Sequence, residues 1–307
     1  MTSREPIISN ALGSAAAGIF SRILTHPLDT VKARLQVEGQ LYRGPFDALK
    51  KTYTLEGLRG LYRGFSTVIV GGTPGTILYL CSYDIIKEKV ASISRPSGDE
   101  SIHQESFLVH FASGLLAEAV ACIVYVPVDV IKERLQVQDA RVGVIRYNGG
   151  ADAFVKIWKT EGPLGCYRGY AATLMSFGPF SALYFMFYEQ LKSFSIQISG
   201  SHGVPMPFLI ASSASAGALA SFLTSPLDLA KLRLQVQRAP GSSGPIALTA
   251  YRGVTDCLLQ AYHHGGLRGL FRGAGARVLH FVPATTVTMT SYETARQFFH
   301  RVIVENR

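Results

Sequence analysis

Long apolar stretches rich in glycine, serine and alanine alternate along the chain with shorter polar segments. The first two apolar stretches run from about Ser9 to Val37 and from about Phe65 to Val90. Each is close to the ~20 residues that cross a bilayer as a helix, and small residues let such helices pack closely in lipid. The segment between them, "FDALKKTYTLEG", predicts a short amphipathic helix. The pattern therefore predicts hairpins of two membrane-spanning helices.

This plan occurs three times. "PLDTVKARLQ" begins at Pro27, "PVDVIKERLQ" at Pro127 and "PLDLAKLRLQ" at Pro226. Two further motifs, "YRG" or "FRG" and then "SYDIIK", "FYEQLK" or "SYETAR", follow in the same order each time. We place the repeats at approximately 8–95, 105–197 and 206–303 of a single domain, 1–307. The predicted fold class is an all-α membrane protein, with six transmembrane helices in three pseudo-threefold repeats around a central cavity.

Each proline motif carries an acid and, three residues later, a base inside an apolar helix. Charges at membrane depth are costly unless they are paired or face water. Around a threefold axis, the acid of one repeat can meet the base of another, and each proline can bend its helix towards the axis. These pairs form what we call the first charge ring: Asp29 with Lys132, Asp129 with Lys231, and Asp228 with Lys32.

The closing motif of each repeat offers a second charge ring at the other end of the pore. Two rings that close in turn are what alternating access requires, because solute binding can offset the cost of opening one of them. The sequence therefore predicts a transporter. The pairs of the second charge ring are Asp84 with Lys192, Glu189 with Arg296, and Glu293 with Lys87.

Composition agrees with a membrane protein and disfavours several other classes. Hydrophobic residues make up 48% of the chain against 17% charged, and the mean hydropathy is +0.20. The formal net charge is +9, but no basic run with interleaved aromatic residues indicates nucleic-acid binding. We find no catalytic constellation, so we expect no enzyme, and no pair with metal-ligand spacing among Cys81, Cys122, Cys166 and Cys257.

These motifs resemble those of the mitochondrial carrier family over essentially the whole chain. The resemblance implies a monomeric, multi-pass solute carrier of the inner mitochondrial membrane, with its short amphipathic helices on the matrix side. The first charge ring would be the matrix gate and the second the cytoplasmic gate. The resemblance implies no cofactor, but cardiolipin bound near helix N-termini, which helix dipoles favour. It also implies glutamine braces at Gln36, Gln136 and Gln235, and tyrosine braces at Tyr83, Tyr188 and Tyr292.

The resemblance also implies where a solute would bind. Arg22 would face the cavity, since an arginine facing lipid is costly, and His280 could titrate near physiological pH. Two alternatives stay open: His280 hydrogen-bonding only inside the bundle, and Glu118 bonding only to a neighbouring helix. The implied substrate-binding residues are Arg22, Gly71, Gly72, Glu118, Ser176, Phe177 and His280.

The substrate itself is not determined at this stage. Ser176 stands where many amino-acid carriers have arginine, whereas the segment around Glu118 resembles the third helix of S-adenosylmethionine carriers. The candidates are S-adenosylmethionine, an amino acid or another small organic cofactor, and exchange, uniport and ion coupling all stay open. The alternative function is a non-transporting membrane scaffold or lipid-binding protein on the same fold, which would not need both rings complete.

Two positions depart from the repeat. An acid-glycine pair occurs as Glu56-Gly57 and Glu161-Gly162, but we align the third repeat as His264-Gly265. In the third long helix, Glu118 stands where the small-x-x-x-small pattern expects a small residue. A carboxylate near the cavity is one consequence.

Overall fold

The computed structural model describes residues 5–38, 41–94, 107–138, 147–199, 206–238 and 251–287. These residues form helices joined by short turns and contain no strand. Long apolar helices alternate with short amphipathic ones, as the sequence predicts. The helices are α1 (Glu5–Glu38), α2 (Pro45–Leu61), α3 (Phe65–Ser94), α4 (Phe107–Gln136), α5 (Gly150–Glu161), α6 (Pro163–Cys166), α7 (Tyr170–Ser199), α8 (Met206–Leu223), α9 (Ser225–Val236), α10 (Val254–Leu270) and α11 (274–287).

Membrane-spanning character is clearest in the middle of the chain. Within the described residues, Phe65–Ser92 and Val109–Gln136 are each long and apolar enough to cross a bilayer. The pair Pro207–Leu223 and Ser225–Val236 passes the same test as one bent span. The second long helix of one repeat packs along the first of the next, α3 on α4 and α7 on α8.

The three motif prolines have different effects. α1 and α4 continue through Pro27 and Pro127. In the third repeat, the corresponding helix breaks before Pro226 into α8 and α9, whose axes are bent by 66° relative to each other. Pro226 thus lies in the first turn of α9, where a missing backbone N–H removes no helical bond. The sequence predicts three equivalent bends, but the sharpest is in the third repeat.

Where the helix continues through its proline, a tyrosine hydroxyl replaces the hydrogen bond that the proline cannot make. Proline lacks the N–H that would bond to the carbonyl four residues earlier. The Tyr62 hydroxyl donates to the Ile23 carbonyl at 2.8 Å, four residues before Pro27. Tyr167 donates to the Ile123 carbonyl at 3.0 Å in the second repeat.

The third repeat has Phe271 in place of this tyrosine, so the hydroxyl is missing. The Phe271 ring instead lies 5.1 Å from that of Phe222, four residues before Pro226. Arg277 donates to the Ser221 carbonyl at 3.2 Å and to Thr224 Oγ1 at 3.1 Å. The helix break in this repeat therefore coincides with a different set of hydrogen-bond donors.

Glycines with positive φ fix the alignment of the repeats. The kink glycines are Gly57 (φ 64°), Gly162 (φ 70°) and Gly266 (φ 57°). Each lies seven residues before the next positive-φ glycine, which ends the Arg-Gly pair of its repeat. The sequence alignment of His264-Gly265 with the acid-glycine pairs is therefore wrong by one residue. Gly265 stands in the place of Glu56 and Glu161.

Candidate functional site

The first charge ring is closed in the structure. Lys132 Nζ lies 3.3 Å from Asp29 Oδ2, Lys231 Nζ lies 2.8 Å from Asp129 Oδ2, and Lys32 Nζ lies 2.8 Å from Asp228 Oδ2. These are the pairings that the repeat pattern predicts. The six side chains are only 12–29% exposed, so each charge depends on its partner for much of its solvation.

The three links of this ring are chemically unequal. Asp228 Oδ2 also accepts a hydrogen bond from Gln36 at 3.0 Å and has Arg277 Nε at 3.7 Å. Asp29 offers its other oxygen to His280 Nε2 at 3.3 Å. Among the described residues, Asp129 has only Lys231 as an ion-pair partner. One link of the ring therefore lacks the support that the other two have.

The three glutamines are fully buried but do not behave alike. Only Gln36 contacts a charge of the ring. Gln136 Nε2 lies 3.4 Å from His26 Nε2, and Gln235 Nε2 donates to Thr173 Oγ1 at 3.4 Å. In this conformation Gln136 and Gln235 therefore do not brace the ring.

The second charge ring is not closed within the described residues. Asp84 is exposed, and Lys192 pairs with Glu189 of its own helix, at 3.9 Å, rather than with Asp84. The Tyr83 hydroxyl bonds to His110 Nδ1 at 2.8 Å, and Tyr188 stacks on Tyr184 with ring centroids 6.0 Å apart. Tyr292, Glu293 and Arg296 lie outside the described residues, so the structure describes no pair for Lys87 with Glu293.

Arg22 and Glu118 lie in one region of the bundle. Arg22 is exposed and has no ion pair in the part of the chain that the structure describes. Glu118 is half-buried and accepts a weak bond from Cys122 Sγ of its own helix at 3.7 Å. The charges of both residues act on the Tyr125 hydroxyl, which bonds to Thr76 at 3.0 Å. Charges of opposite sign therefore act on one hydroxyl group.

The two predicted glycines have different surroundings. A Cβ on Gly71 would collide with the Val128 side chain of α4, whereas a Cβ on Gly72 would meet no atom within 4 Å. Gly71 therefore permits helix packing rather than making room for a solute, and Gly72 opens on free space. Ser176 is buried and Phe177 partly buried, so Ser176 presents little surface to a ligand.

His280 and Arg277 connect α11 to the first charge ring. His280 lies against Asp29, so it is part of a network inside the bundle in this conformation. Arg277, which sequence reasoning missed, is 6% exposed and also lies over the Phe180 ring at 5.6 Å. An arginine inside an apolar helix, three residues before His280, was the available signal.

Sequence reasoning also missed two buried networks outside the ring. Arg34 donates to both oxygens of Glu56, at 2.6 and 3.0 Å, and Arg63 Nη1 lies 2.8 Å from the same carboxylate. The signal was the arginine that follows each motif lysine by two residues, together with the acid-glycine pair. In the second repeat the corresponding residues are Arg134, Glu161 and Arg168.

The chain matches one protein family along most of its length and is similar to individual proteins of that family. A family model described as "Mitochondrial carrier protein" matches residues 3–93, 103–199 and 204–302. The chain is similar to "Mitochondrial substrate carrier family protein E" of Dictyostelium discoideum, with 32% identity over 98% of this chain and 99% of the relative.

Two plant relatives carry more specific names. The chain is 32% identical to "Nicotinamide adenine dinucleotide transporter 2, mitochondrial" of Arabidopsis thaliana, over 96% of this chain and 81% of the relative. It is 29% identical to "Protein MITOFERRINLIKE 1, chloroplastic" of the same organism, over 95% of this chain and 68% of the relative. Relatives of similar identity thus differ in name and in organelle.

Proposed function

Because the chain belongs to the mitochondrial carrier family, we propose that it moves a small organic solute across the inner mitochondrial membrane by alternating access. The observation that supports this mechanism is the first charge ring, closed by three ion pairs, while Asp84 and Lys192 of the second are not paired with each other. All three closed pairs join residues of one chain, so a monomer is sufficient.

For the substrate we favour a solute that carries both an anionic and a cationic group. The guanidinium of Arg22, which has no ion pair among the described residues, can hold a carboxylate, and the half-buried Glu118 can hold a cation across Tyr125. Amino acids and S-adenosylmethionine both have this charge pattern. Gly72 leaves open space beside the cavity for a larger group, as another organic cofactor would require.

We also propose that His280 changes its hydrogen-bond partner when the solute binds. A solute anion that attracts the imidazole would compete with Asp29 for His280 Nε2. Losing that contact would remove one of the two groups that hold the Asp29 carboxylate in the ring. Solute binding is thereby coupled to opening of the first charge ring.

Transport by reconstituted protein tests this proposal. Compounds that raise the apparent Tm of the purified protein would be selected from a metabolite library, because a ligand that binds the folded state stabilises it. Uptake of each into liposomes would then be compared for the wild type, Arg22→Ala and Glu118→Ala. Loss of a charge-assisted bond predicts uptake lowered about 10- to 100-fold at subsaturating solute.

Lys50→Ala is the matched control, since Lys50 is exposed on α2 and makes no ion pair among the described residues. Normal uptake by Arg22→Ala and Glu118→Ala would contradict the proposed anchors. A compound that binds but is never transported by the wild type would favour the non-transporting alternative.

We also propose a cardiolipin site between repeats. A pocket joins the start of α3 to the start of α5, where Gly149 and Gly150 leave backbone N–H groups at a helix N-terminus. Arg59 and Arg63 supply positive charge at its wall. The remaining lining residues are Gly64, Ser66, Leu135, Gln138, Tyr147 and Asn148.

A further inference from the structure

In the first two repeats, one glutamate carboxylate lies between two arginines. Glu56 receives two bonds from Arg34 and one contact from Arg63. Glu161 receives Arg134 at 2.5 and 3.0 Å and has Arg168 Nε at 3.3 Å. These carboxylates are only 4–5% exposed, so each compensates buried positive charge.

The third repeat keeps both arginines and has no carboxylate between them. By the glycine alignment, Arg233 and Arg272 are the equivalents of Arg34 and Arg63, and Gly265 replaces Glu56. In the part of the chain that the structure describes, neither arginine has an ion pair. The third repeat therefore has the two arginines of the network but lacks the glutamate that lies between them in the other repeats.

Arg233 is held in place by neutral groups and has no carboxylate partner among the described residues. It is 9% exposed, its Nε donates to the Gln36 carbonyl at 3.2 Å, and its Nη1 reaches the Tyr251 hydroxyl only at 3.5 Å. The Cys257 thiol is a further polar neighbour, but no carboxylate contacts this guanidinium among the described residues. The corresponding Arg134 Nη2 makes two bonds, to Glu161 and to the Gln237 carbonyl.

Space and local charge both favour an added anion at this position. A Cβ on Gly265 would meet no atom within 4 Å. The last turns of α10 contain no acid, since Asp256 lies in its first turn, and they carry Arg268 instead. A buried guanidinium without a counter-charge is costly, and an oxyanion can satisfy it with two parallel bonds.

We propose that the third repeat binds a small oxyanion, a phosphate or carboxylate, between Arg233 and Arg272. The bound anion takes the place of the missing glutamate and completes the third arginine network. The phosphate can come from solution or from an anionic lipid headgroup, since both offer the same oxygens. A ligand at this position ties α9 to the end of α10 and stabilises the closed arrangement of the first charge ring.

Filling the site with a side chain provides the test. Gly265→Glu places a carboxylate where the first two repeats have one, on a backbone that a side chain can adopt because φ at Gly265 is not positive. Gly265→Gln is the matched control, with the same shape and no charge. The wild type and both variants would be placed in nanodiscs of neutral lipid, and the apparent Tm measured as inorganic phosphate is added at constant ionic strength.

We expect phosphate to raise the Tm of the wild type and of Gly265→Gln by about 2–4 °C at saturation. Gly265→Glu should start at a higher Tm and gain less than a quarter of that shift. A second arm replaces phosphate by anionic lipid in the nanodisc. A shift in that arm alone, again lost in Gly265→Glu, supports the proposal with a headgroup as the ligand.

Two results overturn the proposal. One is a stabilisation by phosphate and by anionic lipid that is equal in the wild type and in Gly265→Glu. The other is the absence of any stabilisation of the wild type in both arms. Because the readout is thermal stability without solute, failure here is distinguishable from failure of the transport proposal.

Discussion

At the scale of single residues, Tyr62 and Tyr167 compensate for the hydrogen bonds that Pro27 and Pro127 remove. The freed carbonyls of Ile23 and Ile123 lie inside long apolar helices, where water cannot easily satisfy them. A hydroxyl from the turn just before the next long helix provides the donor in each case. This contact explains why a helix can bend at proline without breaking.

Replacing Tyr167 by phenylalanine should therefore destabilise the protein. Loss of one such hydrogen bond costs about 0.5–1.5 kcal/mol, which predicts a Tm lower by about 2–4 °C. Thermal unfolding of Tyr167→Phe and of Tyr53→Phe gives the measurement, because exposed Tyr53 makes no hydrogen bond in the described structure. Equal Tm values for the two variants would show that the hydroxyl contributes nothing.

At the scale of elements, the three amphipathic helices share one way of starting. A carboxylate near the first turn accepts the backbone N–H four residues earlier: Asp47 from Arg43 at 2.9 Å, and Asp256 from Arg252 at 2.9 Å. Asp152 accepts in the same way from Asn148 at 2.8 Å. The hydrogen bond from Lys51, and then that from the Arg43 N–H, lowers the pKa of Asp47.

The other two carboxylates are shifted in the same direction. The Lys156 hydrogen bond, followed by the Asn148 N–H, lowers the pKa of Asp152. The Arg252 N–H, followed by the Gln260 amide, lowers the pKa of Asp256. A carboxyl group with a lowered folded-state pKa stabilises the fold above its ordinary pKa of about 3.9, and this contribution is lost as pH falls through the folded value.

The variant Asp47→Asn/Asp152→Asn/Asp256→Asn should accordingly melt below the wild type at pH 7. The difference should begin to shrink as pH falls below about 4 and disappear once the wild-type carboxylates are protonated at still lower pH. Thermal unfolding across this pH range provides the test, with Glu88→Gln as the control, since Glu88 is exposed and makes no ion pair among the described residues. A difference in Tm that persists unchanged at pH 3 would contradict the proposed role of charge.

At the scale of the whole molecule, the first charge ring joins the three repeats, and its links differ in the groups around them. Asp228 lies beside Arg277, whereas Asp129 has only Lys231 as an ion-pair partner in the described structure. Removing one partner of a fully buried pair costs about 3–5 kcal/mol, and less here because these side chains retain some exposure. The charged groups around each ion pair therefore decide whether its acid and its lysine can exchange positions.

Charge reversal should distinguish the two links. Asp129→Lys and Lys231→Asp should each lower the Tm and the rate of uptake, and the double variant should recover most of both. Reversing Asp228 and Lys32 should not recover, because the new lysine would face Arg277. Both quantities would be measured for the four single and two double variants, and equal recovery in the two double variants would contradict the inequality of the links.

Repetition in the sequence was enough to predict the helices, their order and the charges of the first charge ring. A threefold axis allows each acid to meet the lysine of either neighbouring repeat, and the predicted direction, from Asp29 to Lys132, is the one in the structure. The roles of Gln136, Gly71 and His280 were not predictable in the same way. Each role depends on which neighbouring helix the side chain reaches. The spacing of residues along one helix does not specify the distance to another helix.

By itself, then, the sequence determined the family, the all-helical repeat architecture and the charges of the first ring, because hydrophobic period and motif recurrence are properties of the chain order. Only the tertiary structure decided where the symmetry fails. The break before Pro226, Arg277 beside Asp228 and the missing carboxylate at Gly265 all lie in the third repeat. These features arise from contacts between helices, since unpaired charges and freed carbonyls are satisfied by whichever group packing brings within about 3 Å.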